Sequence, residues 1–273
     1  MGFLLACMAS RADRLAELLT NEMEALGQAP ARTNGWGLGF YQSGEVLHKK
    51  HPQPSDEPID WIQAIEGVRS HCVIAHARAI GTPECRAENT HPFRMRQWLF
   101  AHSGDVDRFE VLKPRLLETM PDFIRRNIRG STDSEHLFHT ILSFVHDSGQ
   151  LDSPDAQDQT VTMAVRSAVR LVDRLTAEVG GEPGNLNLVI TNGRHLYALC
   201  RGGPMALLAR ESEPQPRDAP EEAATSDVAS LRRGFRYTLL ASGLEQAPVG
   251  YQTMRQGCMA TVDRDFRVNL EPL

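Results

Sequence analysis

Two rhythms of apolar and polar positions run along this chain. Residues 3–8 (FLLACM) are an unbroken apolar run of the length expected for a buried strand. Leu15, Leu18, Leu19, Met23 and Leu26 then recur at helical spacing, with Ser10 offered as N-cap, Asp13 three positions on, and Gly27 and Pro30 as the stop. Asn34-Gly35 signals a turn, and residues 36–41 and 45–48 alternate as a hairpin. Prolines at 52, 54 and 58 mark a loop, and residues 59–68 read as a short amphipathic helix. Two further apolar runs, 72–75 and 98–101, read as buried strands, each ending at a histidine (His76, His102).

The middle of the chain is helical. Residues 111–128 carry the pattern with interruptions at Pro114 and Pro121. Thr132 and Glu135 form a capping box ahead of an apolar face made by Leu137, Phe138, Ile141, Leu142 and Val145. A longer helix from about residue 158 to 179 lines up Val161, Val165, Val169, Val172 and Leu175, and a glycine-rich break at 180–184 stops it. The period then returns to two. Residues 186–191, the turn Asn192-Gly193 and residues 195–200 form a hairpin, and 205–209, 236–242 and 258–262 add strands. Strands, then long helices, then strands predict an α+β domain of helices packed on antiparallel sheets. No repeat is visible, and a single domain over 1–273 is expected. The acidic, Pro- and Ala-rich stretch at 211–230 reads as a mobile surface excursion.

Bulk properties narrow the class. A chain of 273 residues, 41% hydrophobic and 23% charged, is ordinary for a globular protein that buries a sizeable core. The net charge of −6 argues against a nucleic-acid or anionic-membrane surface. No apolar run is long enough to span a bilayer. The start, MGFLLACMASR, lacks the basic region of a signal peptide, and Ala6 breaks the myristoylation pattern. Five cysteines (7, 72, 85, 200, 258), with no C-x-x-C pair, point to unpaired thiols in a reducing, cytoplasmic setting. No His, Cys or carboxylate group has metal-ligand spacing, so neither a metal nor another cofactor is expected.

Candidate chemistry concentrates between His71 and Asp107. The strand ends AHARA (75–79) and AHSGD (101–105) flank a punctuated loop containing ENTHPF (88–93). Polar groups delivered at strand ends around such a loop are a common way of building a site. Taken alone, each residue has a bland explanation. Arg78 could be a surface ion-pair arginine, and Asp133 could serve the helix dipole. His76, His91 and His102 could be satisfied structural histidines, and Trp36 a core or pocket wall.

The order of these segments carries more. An N-terminal strand, NGWGLGFY (34–41), AHARA, ENTHPF, AHSGD and TDSE (132–135) resembles the class II glutamine amidotransferases, in particular their compact stand-alone branch, over nearly the whole chain. The resemblance implies the N-terminal-nucleophile hydrolase fold, a four-layer α-β-β-α sandwich. It also implies a mature N-terminal cysteine whose thiolate attacks the side-chain amide of glutamine, with its own α-amine as base.

Carried over by position, the resemblance divides the site. Arg78 matches the arginine that grips the α-carboxylate of glutamine, a task suited to a planar bidentate donor. Asp133 matches the acid that holds the α-ammonium, and Gly104 the glycine whose N–H helps form the oxyanion hole. The reactive half departs from the pattern. Gly2 stands where the cysteine belongs, Phe3 where a basic residue is usual, and Ser103 where the side-chain oxyanion donor, an asparagine, is expected. Loss of such a nucleophile costs on the order of a millionfold in rate.

Three readings follow. The chain is a catalytically silent relative that binds a small α-amino acid (glutamine, glutamate or a γ-glutamyl compound) or supports a partner enzyme. Alternatively, it hydrolyses an amide with a substitute nucleophile, such as Ser103 with His102 or His91 as base. Cys7 suits that role poorly, because its odd offset from Gly2 points it to the other face of the strand. In the third reading the pocket is vestigial and the chain is a structural subunit, in a homo-oligomer or with a partner.

Overall fold

The buried strands have no polar face, and they pair into two sheets stacked on each other. The computed structural model describes residues 2–26, 33–78, 85–211 and 234–273. The strands are β1 (Phe3–Ala9), β2 (Trp36–Gln42), β3 (Glu45–His51), β4 (Cys72–Ala77), β5 (Phe93–Met95), β6 (Trp98–Asp105), β7 (Asn185–Thr191), β8 (Leu196–Cys200), β9 (Met205–Glu211), β10 (Arg236–Ser242), β11 (Gln252–Thr253), β12 (Cys258–Val262) and β13 (Val268–Pro272). One sheet has the order β11-β9-β10-β1-β4-β2-β3 and the other β13-β12-β8-β7-β6-β5. Every pairing among them is antiparallel.

Strand alternation sorts the side chains into three cores. Leu4, Ala6 and Met8 of β1 meet Leu99 and Ala101 of β6 between the sheets. Phe3, Leu5 and Cys7 point the other way, to α1 (Leu15–Leu26) and α2 (Trp61–Ile65). On the far side Trp98 and Phe100 of β6 pack under the remaining helices, α3 (Phe109–Glu118), α4 (Asp122–Arg125), α5 (Asp133–Asp147) and α6 (Asp158–Glu178). Phe100 stacks on Phe138 of α5 at 5.2 Å, a contact that contributes ~0.5–1.5 kcal/mol beyond burial. The result is the expected α+β sandwich of four layers, α-β-β-α. No described helix is long and apolar enough to cross a membrane.

Several local expectations need correction. The two central strands continue through His76 to Ala77 and through His102 to Asp105. Their polar residues find room inside the sandwich, which is why polarity did not end them. Ser10 does not cap α1. Its Oγ accepts the N–H of Arg236, tying β1 to β10, and the helix starts at Leu15. Only half of the expected capping box forms. Thr132 Oγ1 accepts the N–H of Glu135, but the Glu135 carboxylate takes the N–H groups of Arg129 and Gly130 instead of reaching back to residue 132. The helix expected over 59–68 is one turn, α2, capped by Asp60. Pro114, the sixth of the ten residues of α3, sits inside the helix without ending it and forgoes the bond its N–H would have made to Glu110. The helix stop at Gly27 and Pro30, the end of AHARA at Ala79, and residues 212–230 of the acidic stretch lie outside the described residues.

Candidate functional site

The site assembles where the ends of β1, β4 and β6 meet. The register pairs Phe3 with Ala77, and one step further along the same ladder sets Gly2 beside Arg78. By alternation Gly2 shares the inter-sheet face with Leu4. Across the gap, Ser103 of β6 donates its hydroxyl proton to the carbonyl of Gly2, with an Oγ–O distance of 2.7 Å. The three positions at which the pattern breaks therefore part company. Gly2 and Ser103 are joined, while Phe3 turns outward and packs on Trp61 at 6.1 Å. An apolar contact is what that outward position serves here.

The backbone around Gly2 is tight. A Cβ on residue 2 would lie 2.6 Å from the carbonyl oxygen of Ala77 and 3.1 Å from the His76 ring. A Cβ on Gly243 would lie 2.3 Å from the Gly2 carbonyl oxygen. Gly104 is held as closely. Its φ of +153° and the Asn185 carbonyl 1.7 Å from a notional Cβ leave room for glycine alone.

Arg78 is almost fully buried, and its backbone is held by Gly35 and Asn34 through bonds of 2.9 and 3.1 Å. Burial lowers its pKa, and the nearby charge of Asp133 works against that shift. Asp133 opens α5. One of its oxygens takes the Val106 N–H at 2.8 Å and the other the Ser134 N–H at 2.7 Å. The sequence segments are clasped together by Asn89, whose side chain accepts the Ser131 N–H at 2.9 Å and donates to Ser131 Oγ at 3.4 Å.

The histidines divide. His102 is satisfied, with Nδ1 on Ser134 Oγ at 3.0 Å and Nε2 on the Asn185 carbonyl at 3.1 Å. Its ring lies on the helix side of β6, opposite Ser103, so it does not face the Ser103 hydroxyl. That removes His102 as the base for a serine nucleophile. His76 and His91 are not the satisfied structural residues expected. Their rings meet at 4.1 Å, tilted by 38°, they are 3% and 5% exposed, and none of their four nitrogens makes a hydrogen bond of good geometry to a described residue, the His102 backbone coming nearest. Burial, with His102 and Arg78 nearby, pushes His76 down to about 3 and holds His91 well below the usual imidazole value. Both rings are neutral near pH 7. Cys7 is buried on the outer face of β1, away from Gly2, and burial raises its pKa.

Sequence reasoning missed two polar groups at this end. Asn187, opposite Ser103 in the ladder, donates to Gly203 O at 3.0 Å and to Ser242 Oγ at 2.7 Å. An asparagine inside the apolar run LNLVIT was the available signal. Lys50 donates to the Ala87 carbonyl at 3.2 Å and lies 5.6 Å from the ring centre of Phe93, and burial lowers its pKa to about 8.

The family model "Glutamine amidotransferases class-II" matches residues 1–227. YafJ of Escherichia coli (strain K12) is 28% identical over 172 residues, covering 61% of this chain and 60% of that one. A γ-glutamyl-hercynylcysteine sulfoxide hydrolase of Mycobacterium tuberculosis (strain ATCC 25618 / H37Rv) is 34% identical over 181 residues, covering 65% and 63%. The chain thus spans about three-fifths of the length of these curated relatives. Among solved structures, a glutamine aminotransferase class-II domain protein from Silicibacter pomeroyi superposes with a TM-score of 0.60 at 18% identity, covering 99% of this chain and 98% of that one. At that identity the likeness is one of fold.

Proposed function

The chain belongs to the class-II glutamine amidotransferases, and on that premise we propose that it has given up glutamine hydrolysis and kept amino-acid binding. One observation carries this reading. The direction in which a nucleophile at residue 2 would project is filled by the Ala77 carbonyl, 2.6 Å from a notional Cβ. Position 2 is shaped around glycine. The Ser103 hydroxyl, where the family pattern has a side-chain oxyanion donor, is committed to the Gly2 carbonyl. Arg78 and Asp133, matched by position to the residues that grip the α-carboxylate and α-ammonium, lie near enough for the Asp133 charge to act on Arg78. The ligand is a small α-amino acid: glutamine, glutamate or a γ-glutamyl compound.

Residues 1–273 act as one unit in this reading, and the unpaired thiols of Cys7, Cys72, Cys85, Cys200 and Cys258 favour a reducing, cytoplasmic setting. A partner enzyme or a second copy of the chain would read out the bound state. A substitute nucleophile is disfavoured, because the Ser103 hydroxyl is engaged by the Gly2 carbonyl, His102 lies across the strand from it and neither His91 nitrogen bonds it. The test is a calorimetric titration with L-glutamine, with glutamate assayed in the same samples. Saturable binding without glutamate is expected. Glutamate release that Arg78→Ala abolishes would overturn the proposal.

A further inference from the structure

Buried polar atoms nearly always have partners, and an exception calls for a missing water, an ion or a ligand. Here the exceptions are adjacent. His76 and His91 leave four imidazole nitrogens without a hydrogen bond of good geometry to any described residue, the His102 backbone coming nearest, within one tilted ring pair that is at least 95% buried. Their place in the site is specific. The His76 ring lies 3.1 Å from a notional Cβ on Gly2, the position that the family pattern gives to the nucleophile.

We infer that this imidazole pair receives the γ-carboxylate of L-glutamate, so that the site prefers the acid to the amide. The inference rests on the proposed amino-acid-binding role and adds to it the identity of the ligand. Electrostatics choose between the two ligands. The charged or titratable groups that act on the pair are Arg78, Lys50 and the imidazole of His102, and no carboxylate is among them. Burial holds the two rings neutral, and the positive charges of Arg78 and Lys50 act in the same direction. A carboxylamide brings no charge to the pair. A carboxylate does, and it lets an imidazole take up a proton and form a charge-assisted hydrogen bond, about twice as strong as a neutral one. In the balanced step, one proton moves from solvent to a ring nitrogen as the γ-carboxylate binds, and no covalent bond is made or broken.

The experiment titrates the full chain at neutral pH with L-glutamate and with L-glutamine, in phosphate and in Tris, whose ionisation enthalpies differ. The inference expects glutamate to bind about 10-fold or more tightly than glutamine. It also expects uptake of about one proton with glutamate and none with glutamine. His76→Gln should bring the glutamate affinity down to about that of glutamine and abolish the proton uptake. Equal affinities, or glutamate binding without proton uptake, overturn this inference and leave the amino-acid-binding reading standing. Binding of neither ligand overturns both. Should His76→Gln not fold, the proton count of the unsubstituted chain decides alone.

Discussion

Ser103 donates its hydroxyl to the carbonyl of Gly2 across the gap between the sheets, at 2.7 Å. The hydrogen bond joins two of the three positions at which the chain departs from its family's reactive pattern. It also predicts what restoring that pattern will do. Gly2→Cys places a Cβ 2.6 Å from the Ala77 carbonyl, so a backbone must move. The variant should lose about 1–3 kcal/mol of stability, as overpacked sites do. Glutaminase activity should stay at background, even in combination with Ser103→Asn. Denaturant midpoints and a glutamate-release assay read the two halves. A double variant that hydrolyses glutamine without loss of stability would show that position 2 is not built for glycine.

Ser103→Ala separates a structural hydroxyl from a nucleophilic one. The Gly2 carbonyl would lose its side-chain donor at a buried position, at a cost of about 1 kcal/mol. A shift of the urea midpoint at unchanged slope measures that cost. Amino-acid binding through Arg78 and Asp133 should be unchanged to within a factor of about 2. If the chain has any amidase turnover and this substitution abolishes it while the midpoint stays put, Ser103 is a nucleophile.

How far the sequence discloses this arrangement depends on whether a residue's partner is close in the chain. The runs at 3–8, 72–75 and 98–101 announce their strands because burial on both faces leaves no polar position to misread. Ser10 and Glu135 mislead because their local partners lose to other ones. Ser10 is taken by Arg236, 226 residues away, and Glu135 by the turn just before its helix. The site shows the same division. Gly2, Arg78, Ser103, Gly104 and Asp133 stand out through the order of short motifs. The pairing of His76 with His91 does not, since each looks like an ordinary histidine at the end of a strand or in a turn. Nothing local shows that the fold will bury two rings against each other and leave their nitrogens without hydrogen bonds of good geometry.

The neutral pair makes stability depend on pH. His76 has its folded-state pKa depressed to about 3, against about 6.5 unfolded, so between those values the unfolded chain binds more protons. Its contribution is present above about pH 6.5 and declines as the pH falls towards about 3. For this residue alone the loss is about 2 kcal/mol at about pH 5. His91 and His139, whose pKa values burial also lowers, act in the same direction. Chemical unfolding across the acid range should give a stability that falls with falling pH, with a shallower slope in His76→Gln. An unchanged slope in that variant would mean that His76 charges freely in the folded protein.

Gly104→Ala tests whether the backbone at the site is fixed by its neighbour or by its own torsion. The Asn185 carbonyl lies 1.7 Å from a notional Cβ there and also accepts from the His102 ring. No rotamer can relieve such a clash, because the backbone fixes where a Cβ sits and its neighbour is a backbone carbonyl. The substitution should push β6 and β7 apart and cost about 3 kcal/mol or more, with loss of amino-acid binding. Gly149→Ala is the control. Gly149 also has a positive φ, +75°, but its notional Cβ meets nothing within 4 Å, so only the torsional cost of about 1 kcal/mol applies. The difference between the two variants in urea midpoint reports the close approach of Asn185 together with the harsher torsion at Gly104. Equal costs would mean that β6 can give way at Gly104, and that the N–H there is not held in place by the strand beside it.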